Sequence, residues 1–286
     1  MIAVTGATGA LGGRVAARLA ERGVEQRLVV RDPSRAPQIE GVEVVGGASY
    51  ADGEAMRRGF DGAETVFLVS AGEDRHRIDL HRNAVDAAVA AGVERIVYTS
   101  FFAATPDTAF TFGRDHFHTE EHIKQTSLRW TFLRDNIYLD YVPFFAGEDG
   151  VIRGPAGDGR AAVVARDDIA AAAAAVLTED GHEDAAYDMT GPESLTLDEA
   201  AELLTEAAGR PVTYVRETIE EARESRAPSG AEDWEIEGWV TTYVAIAEGE
   251  LERISPDIER LTGRRPMTLA DFLRENPDSY SHLGAS

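Results

Sequence analysis

The chain has 286 residues, 43% of them hydrophobic, enough for one large domain or a large and a small one around a packed core. It contains no cysteine, which excludes disulfides, thiolate nucleophiles and cysteine metal sites. The formal net charge of -23 repels nucleic acid and anionic membranes, and no apolar run, the alanine-rich 169–177 included, is long enough to span a bilayer.

Met1–Thr5 is a short apolar run without helical period and reads as a first strand. No signal peptide is expected before it, so the expected location is cytoplasmic. Gly6-Ala-Thr-Gly9-Ala-Leu-Gly12 follows at once, and 13–22 has the pattern of an amphipathic helix. Strand, glycine turn and helix in this order bind a dinucleotide pyrophosphate. Gly6 permits the tight turn, Gly9 lets the backbone approach the phosphates, and Gly12 lets the helix pack on the strand, with free N–H groups facing the anion. The plainer reading is a glycine-rich surface turn.

Further strands are expected at 27–31, 42–45, 64–70, 95–100 and 129–133. Helices are expected at 54–59, 75–91 and 115–126, the second presenting Ile78, Val85 and Val89 on one face. Such alternation implies an α/β fold with a doubly wound parallel Rossmann sheet. Beyond Arg134 a glycine- and proline-rich stretch reads as loop. Then come a helix at 167–177, a strand at 185–189 and a helix at 196–208 opened by a Thr196/Glu199 capping box. A short strand at 212–215 and helices at 219–226, 235–248 and 268–275 complete the chain. The expected division is a dinucleotide-binding domain over 1–134 and about 160–192, and a smaller, substrate-covering C-terminal α+β lobe over about 135–159 and 193–286.

The end of the second strand chooses the cofactor. Arg31 stands nineteen positions after Gly12, with Arg35 nearby, and a guanidinium matches a ribose 2′-phosphate. This favours NADP(H) over NAD(H). The rival reading takes Asp32 as the ribose carboxylate and Arg31 as a solvated charge, which gives NAD.

An N-terminus of this kind resembles that of the short-chain dehydrogenase/reductases, most of which use a Tyr-x-x-x-Lys pair on a helix to exchange a proton with the substrate oxygen. This chain has one lysine, Lys124, and four positions before it stands Glu120, so the pair is absent. His116 and Glu120, four apart on one helical face, are candidates for the vacated positions. The alternative leaves His116, His118 and His122 on a solvated helix surface with Glu120 as a stabilising partner. A metal site from these residues is disfavoured, because 116 and 118 point to different sides; no metal is expected.

Further motifs sharpen the resemblance: Val30-Arg31-Asp-Pro33, Ile96-Val-Tyr-Thr-Ser100, His116-Phe-His-Thr-Glu120 and Trp130-Thr-Phe-Leu-Arg134-Asp-Asn136-Ile-Tyr138. With 150–160, 165–169 and Leu261-Thr-Gly-Arg-Arg-Pro266, they make the chain similar over nearly its whole length to the NmrA-like atypical short-chain dehydrogenase/reductases. Within these it is similar to the NAD(P)H:quinone oxidoreductase branch, with azo-dye and triphenylmethane reductases nearby. The resemblance implies NADPH contacts at Gly6, Thr8, Gly9, Ala10, Leu11, Gly12, Arg31, Ser70, Ala71, Thr99, Ser100, Asn136, Tyr138 and Tyr141. One departure is visible: where the family shows Gly-Asp near the adenine, this chain has Gly46-Gly-Ala48-Ser49, and Asp52 has the wrong spacing to substitute.

The implied activity is hydride transfer from NADPH to a quinone or a similar small, flat, electron-poor acceptor. Such a product is a stabilised anion that water can protonate, so the missing tyrosine is tolerated. His116 would be proton donor or orienter, and Phe101, Phe102, Tyr138 and Tyr141 the ring-receiving wall, with core packing the rival role for the two phenylalanines. A non-catalytic NADP(H)-binding redox sensor with a protein partner fits the missing pair equally well. An isomerase-like reading fails to place Lys124 usefully. Oligomeric state is open.

Overall fold

The computed structural model describes residues 1–284. In chain order the elements are β1 (Ile2–Thr5), α1 (Ala10–Glu21), β2 (Gln26–Val29), β3 (Glu43–Val45), α2 (Gly53–Phe60), β4 (Thr65–Leu68), α3 (Arg77–Ala90), β5 (Arg95–Phe101), α4 (Thr111–Lys124) and β6 (Arg129–Asp135). There follow β7 (Val151–Gly154), β8 (Arg160–Ala161), α5 (Arg166–Thr178), β9 (Ala185–Met189), β10 (Leu195–Thr196), α6 (Leu197–Ala208), β11 (Thr213–Arg216), α7 (Ile219–Arg226), α8 (Asp233–Ala247), α9 (Asp257–Thr262) and α10 (Leu269–Glu275). The chain divides into two compact units. The first comprises 1–104, 115–134 and 166–188, the second 105–114, 135–165 and 189–286. No helix among the described residues is long and apolar enough to cross a membrane.

The first unit is built on a seven-stranded sheet in the order β3-β2-β1-β4-β5-β6-β9. The pairings β2–β3, β1–β2, β1–β4 and β4–β5 are parallel. Sequence order reverses between β1 and β4, which is the topological switch of the doubly wound fold and opens a crevice beyond the carboxyl ends of those strands. Val66, Leu68, Ile96, Tyr98 and Phe132 pack with Met56 and Phe60 of α2 and with Ala84, Val85 and Ala88 of α3. Full burial of a side chain such as Phe60 stabilises the fold by about 1.5–3 kcal/mol. Elsewhere in this unit α1 lies along α5, pinned by Arg18 to Asp167 at 2.6 Å and by Arg22 to Thr178 at 2.6 Å.

The second unit mixes helices with two small sheets. β7 pairs in parallel with β11, and β8 pairs antiparallel with β10. The capping box at Thr196 and Glu199 is present and opens α6. The stretch after Arg134, expected to be loop, also holds a 3-10 helix (Leu139–Phe145) together with β7 and β8. Each is too short to show a period, and the partner of β7 lies some sixty residues on.

Two other expectations need correction. α1 begins at Ala10 rather than at 13, so Gly12 lies inside the helix. α3 does not bury an Ile78/Val85/Val89 face; Val89 is exposed, and the inward side carries Arg77, His81, Ala84, Val85, Ala87 and Ala88. Two polar side chains occupy the buried stripe, so the apolar pattern alone misorients the helix.

The β1–α1 junction is the tightest backbone contact near the switch. A Cβ on Gly12 would lie 2.4 Å from the Gly6 carbonyl oxygen and 2.9 Å from the Ala7 nitrogen, both backbone atoms that have nowhere to go. Gly12→Ala is therefore expected to cost about 1–3 kcal/mol of stability, read as a lower urea midpoint. Gly53→Ala, whose new Cβ finds its nearest neighbour at 4.0 Å, is expected to change little. Equal midpoints for the two variants would contradict this packing.

Candidate cofactor cleft and its polar frame

β1 ends at Thr5, and Gly6 turns the chain with φ +63°, a left-handed conformation that suits glycine. Its carbonyl accepts the Gly9 N–H at 2.9 Å. Gly9 is the N-cap of α1 and brings no capping side chain, and no acidic residue stands in the first turn. The leading amides, on Ala10, Leu11 and Gly12, are thus left to an external anion at the positive end of the helix.

Beside this turn lies a cleft of about 420 Å³, bordered by Gly6 and Thr8, by 29–31, by 48–50 and by 69–74. Arg31, with an exposed side chain two positions past β2, is on its rim. Asp32 is not. Its carboxylate accepts the Ser34 N–H at 2.9 Å and the Ser34 hydroxyl at 2.7 Å, capping the 3-10 turn Pro33–Arg35. Those bonds hold its pKa below the usual carboxylate value. One carboxylate oxygen of Asp32 is therefore committed to local structure, and the residue does not border the cleft, which favours Arg31 over it as the ribose-end contact. Arg35 does not border the cleft either. Of the residues standing where an acid was expected, Ala48 and Ser49 line the cleft, while Asp52 caps α2 through the Ala55 N–H at 2.9 Å.

The wall after β4 is held by side chains rather than by ladder bonds. Tyr50 donates its hydroxyl to the Val69 carbonyl at 2.6 Å, and Thr5 Oγ1 accepts the Val69 N–H at 2.9 Å. Thr99 Oγ1 accepts the Ser70 N–H at 2.7 Å. Ala71 donates its N–H to His81 Nε2 at 2.8 Å, and its carbonyl accepts Arg77 Nε–H at 2.9 Å. Ser70 and Ala71 border the cleft; Thr99 acts behind them. Arg77 and His81 carry no sequence motif, and only their place on the inward stripe of α3 could have singled them out.

On α4 His116 is buried, not on the helix surface; His118 is exposed and His122 pairs with Asp86 at 2.8 Å. His116 Nε2 meets Arg77 Nη2 at 2.9 Å and its Nδ1 meets the Tyr98 hydroxyl at 2.9 Å, while its ring stacks on Phe101. Burial foremost, and then the Arg77 charge, pushes the pKa of both His81 and His116 well below the ordinary histidine value. Burial likewise raises the Tyr98 phenol. Glu120 is buried too and receives the Ser100 hydroxyl at 2.6 Å and a two-pronged grip from Arg134 at 2.9 and 2.6 Å. Lys124 reaches only its edge, at 4.0 Å. Phe102 is buried, in line with core packing. No cluster of three or more His, Cys, Asp or Glu residues able to hold a metal gathers among the described residues.

Asn136, Tyr138 and Tyr141 belong to the second unit. Asn136 is buried, its amide donating to the Leu251 carbonyl at 3.0 Å and accepting the Ile137 N–H at 2.8 Å. Tyr138 donates to Asp135 at 2.9 Å and stacks on Tyr141, which is half exposed.

The pattern of the NmrA-like family matches residues 1–273. Quinone oxidoreductase 2 of Escherichia coli is 34% identical over 290 residues, covering 99% of this chain and 98% of that protein. Among solved structures, the NADPH-dependent quinone oxidoreductase of Escherichia coli complexed with NADPH aligns with a TM-score of 0.88 at 33% identity, covering 96% of this chain and 99% of that one. The triphenylmethane reductase of Citrobacter sp. complexed with NADP(H) aligns with a TM-score of 0.84 at 33% identity and the same coverage.

The two buried histidines set a pH dependence. Both are neutral in the fold and titrate near 6.5 once unfolded. A depressed folded pKa contributes nothing adverse above the unfolded value and loses stability as pH falls below it. Unfolding free energy is therefore expected to decline below about pH 6.5 with a slope approaching ~2.7 kcal/mol per pH unit, and His116→Gln to remove about half of it. Urea titrations at a series of pH values read this directly; a flat profile between about pH 7 and pH 5.5 would overturn the neutral assignment.

Proposed function

The chain belongs to the NmrA-like family, and from that premise we propose that it is an NADPH-dependent reductase delivering hydride to a quinone or another flat, electron-poor acceptor. The observation that carries the reading is the uncapped glycine turn beside a cleft whose rim holds Arg31 while Asp32 is tied up elsewhere. The relatives named above are quinone and triphenylmethane dye reductases, and the two solved structures hold NADPH or NADP(H).

The leading amides of α1 would hold the pyrophosphate, and the Arg31 guanidinium would hold the 2′-phosphate. Bound NADPH supplies the hydride. Around it, the protein's own groups orient rather than donate protons. Ser100 gives its only hydroxyl proton to Glu120, and the carboxylate is neutralised by Arg134. His116 has both ring nitrogens engaged, which favours the role of orienter. No tyrosine–lysine pair offers a proton, and a reduced quinone does not require one, since its anion is delocalised and water protonates it. Tyr138 and Tyr141 form a stacked aromatic pair of their own in the second unit.

Following NADPH consumption with a panel of quinones tests the activity; tight NADPH binding without turnover on any acceptor would identify a sensor instead. Removing the guanidinium by Arg31→Ala is expected to weaken NADPH about 10–100-fold while leaving NADH nearly unchanged. Equal losses for both coenzymes would sink the assignment of Arg31.

A further inference from the structure

α3 directs two side chains, one helical turn apart, at a single residue of the cleft wall. Ala71 lies beyond the end of β4, so its peptide groups have left the strand ladder. Arg77 binds its carbonyl and His81 its N–H. A backbone N–H can only donate, so His81 Nε2 carries the lone pair and the ring proton sits on Nδ1. That proton goes to Thr119 Oγ1 at 2.8 Å, whose own hydroxyl goes to the Asp115 carbonyl at 2.8 Å. A guanidinium likewise only donates, so His116 Nε2 accepts from Arg77, and His116 Nδ1–H donates to the Tyr98 hydroxyl. Every tautomer is thus fixed by a donor that has no alternative. The network runs from the wall of the cleft through α3 and β5 into α4.

We propose that Arg77 and His81 are positioning residues that clamp Ala71, so that the cofactor meets a preformed wall. The clamp rests on the NADPH reading above and extends it to residues that do not border the cleft themselves. Because the Ala71 N–H is spent on His81, this residue meets a dinucleotide without its amide as a donor. A loop with an unsatisfied amide at this point would relax, and the cofactor would have to order it on binding.

The test compares His81→Leu, which removes the acceptor, with His81→Gln, whose side-chain oxygen can accept the same N–H. Hydrogen exchange of the cofactor-free protein reads the clamp directly, and calorimetric titration with NADPH reads its purpose. His81→Leu is expected to speed exchange of the 70–72 amides and to weaken NADPH binding, each about tenfold, with the loss falling on KM for NADPH more than on kcat. His81→Gln is expected to restore most of both. A merely structural histidine would lower the melting temperature of both variants and leave the NADPH Kd unmoved well below that temperature; that result overturns the proposal. Should His81→Leu fail to fold, Thr119→Val removes only the hydroxyl that orients His81. It is expected to shift exchange and Kd in the same direction by a smaller factor, and no shift in either overturns the clamp. Wild-type protein that fails to bind NADPH overturns the functional reading and the clamp's purpose with it, whereas wild-type binding matched by the variants overturns the clamp alone.

Discussion

The first unit depends on one close approach. α1 can pack against the end of β1 only because no side chain stands between the Gly12 Cα and the Gly6 carbonyl. That contact sets the direction in which the helix leaves the sheet, and with it the direction of its unpaired amides. Gly6 contributes the left-handed turn, and a Cβ there would come within 2.7 Å of Val69 Cβ. The same backbone economy therefore brings the turn against the far wall of the cleft. Helix packing and the approach of the turn to the cleft wall both depend on glycines at these two positions.

Around this junction the polar groups are arranged for rigidity. Glu120 is buried, and a buried carboxylate alone would be costly. Arg134 and Ser100 satisfy it from two strands, β6 and β5. The result is a neutralised post that holds β5, β6 and α4 in register. His116, four residues earlier, is tied to α3 and β5. α4 thus carries two braces, at His116 and Glu120. The chemistry proposed for the chain tolerates this arrangement because transfer to a quinone asks for alignment more than for acid catalysis.

How much of this was legible in the sequence follows from the range of each interaction. The opening strand, turn and helix are contiguous, so Gly6, Gly9 and Gly12 could be read directly, and strand–helix alternation was enough for the doubly wound sheet. Arg31 was singled out by its offset alone, and it borders the cleft. β7 escaped because four residues have no period and its partner, β11, lies far along the chain. The face of α3 was misread because apolar periodicity weighs Ile78 and Val89 and is blind to a buried Arg77 and His81. For His116 the same blindness left a surface position open as the alternative to a place in the site. Whether a polar side chain is buried depends on partners in α3 and β5, contributed by residues 77 and 98, and no local pattern encodes that meeting.

The directionality of the network decides what it can do. Protons move along a hydrogen-bonded chain when each member can pass one on and receive another. Here one branch starts at the Arg77 guanidinium, which only donates, and passes through His116 to the Tyr98 hydroxyl, while the other runs from the Ala71 N–H through His81 and Thr119 to the Asp115 carbonyl, which only accepts. His81 and His116 are neutral and resist protonation because they are buried beside that guanidinium. The Arg77 guanidinium and the Ala71 amide fix the two histidine tautomers, so reversing the link at either would leave two donors facing each other there. The assembly is a frame and not a wire. On the proposed reaction, the proton that completes a reduced acceptor then comes from water, and the buried histidines act on the cofactor only through the wall they hold still.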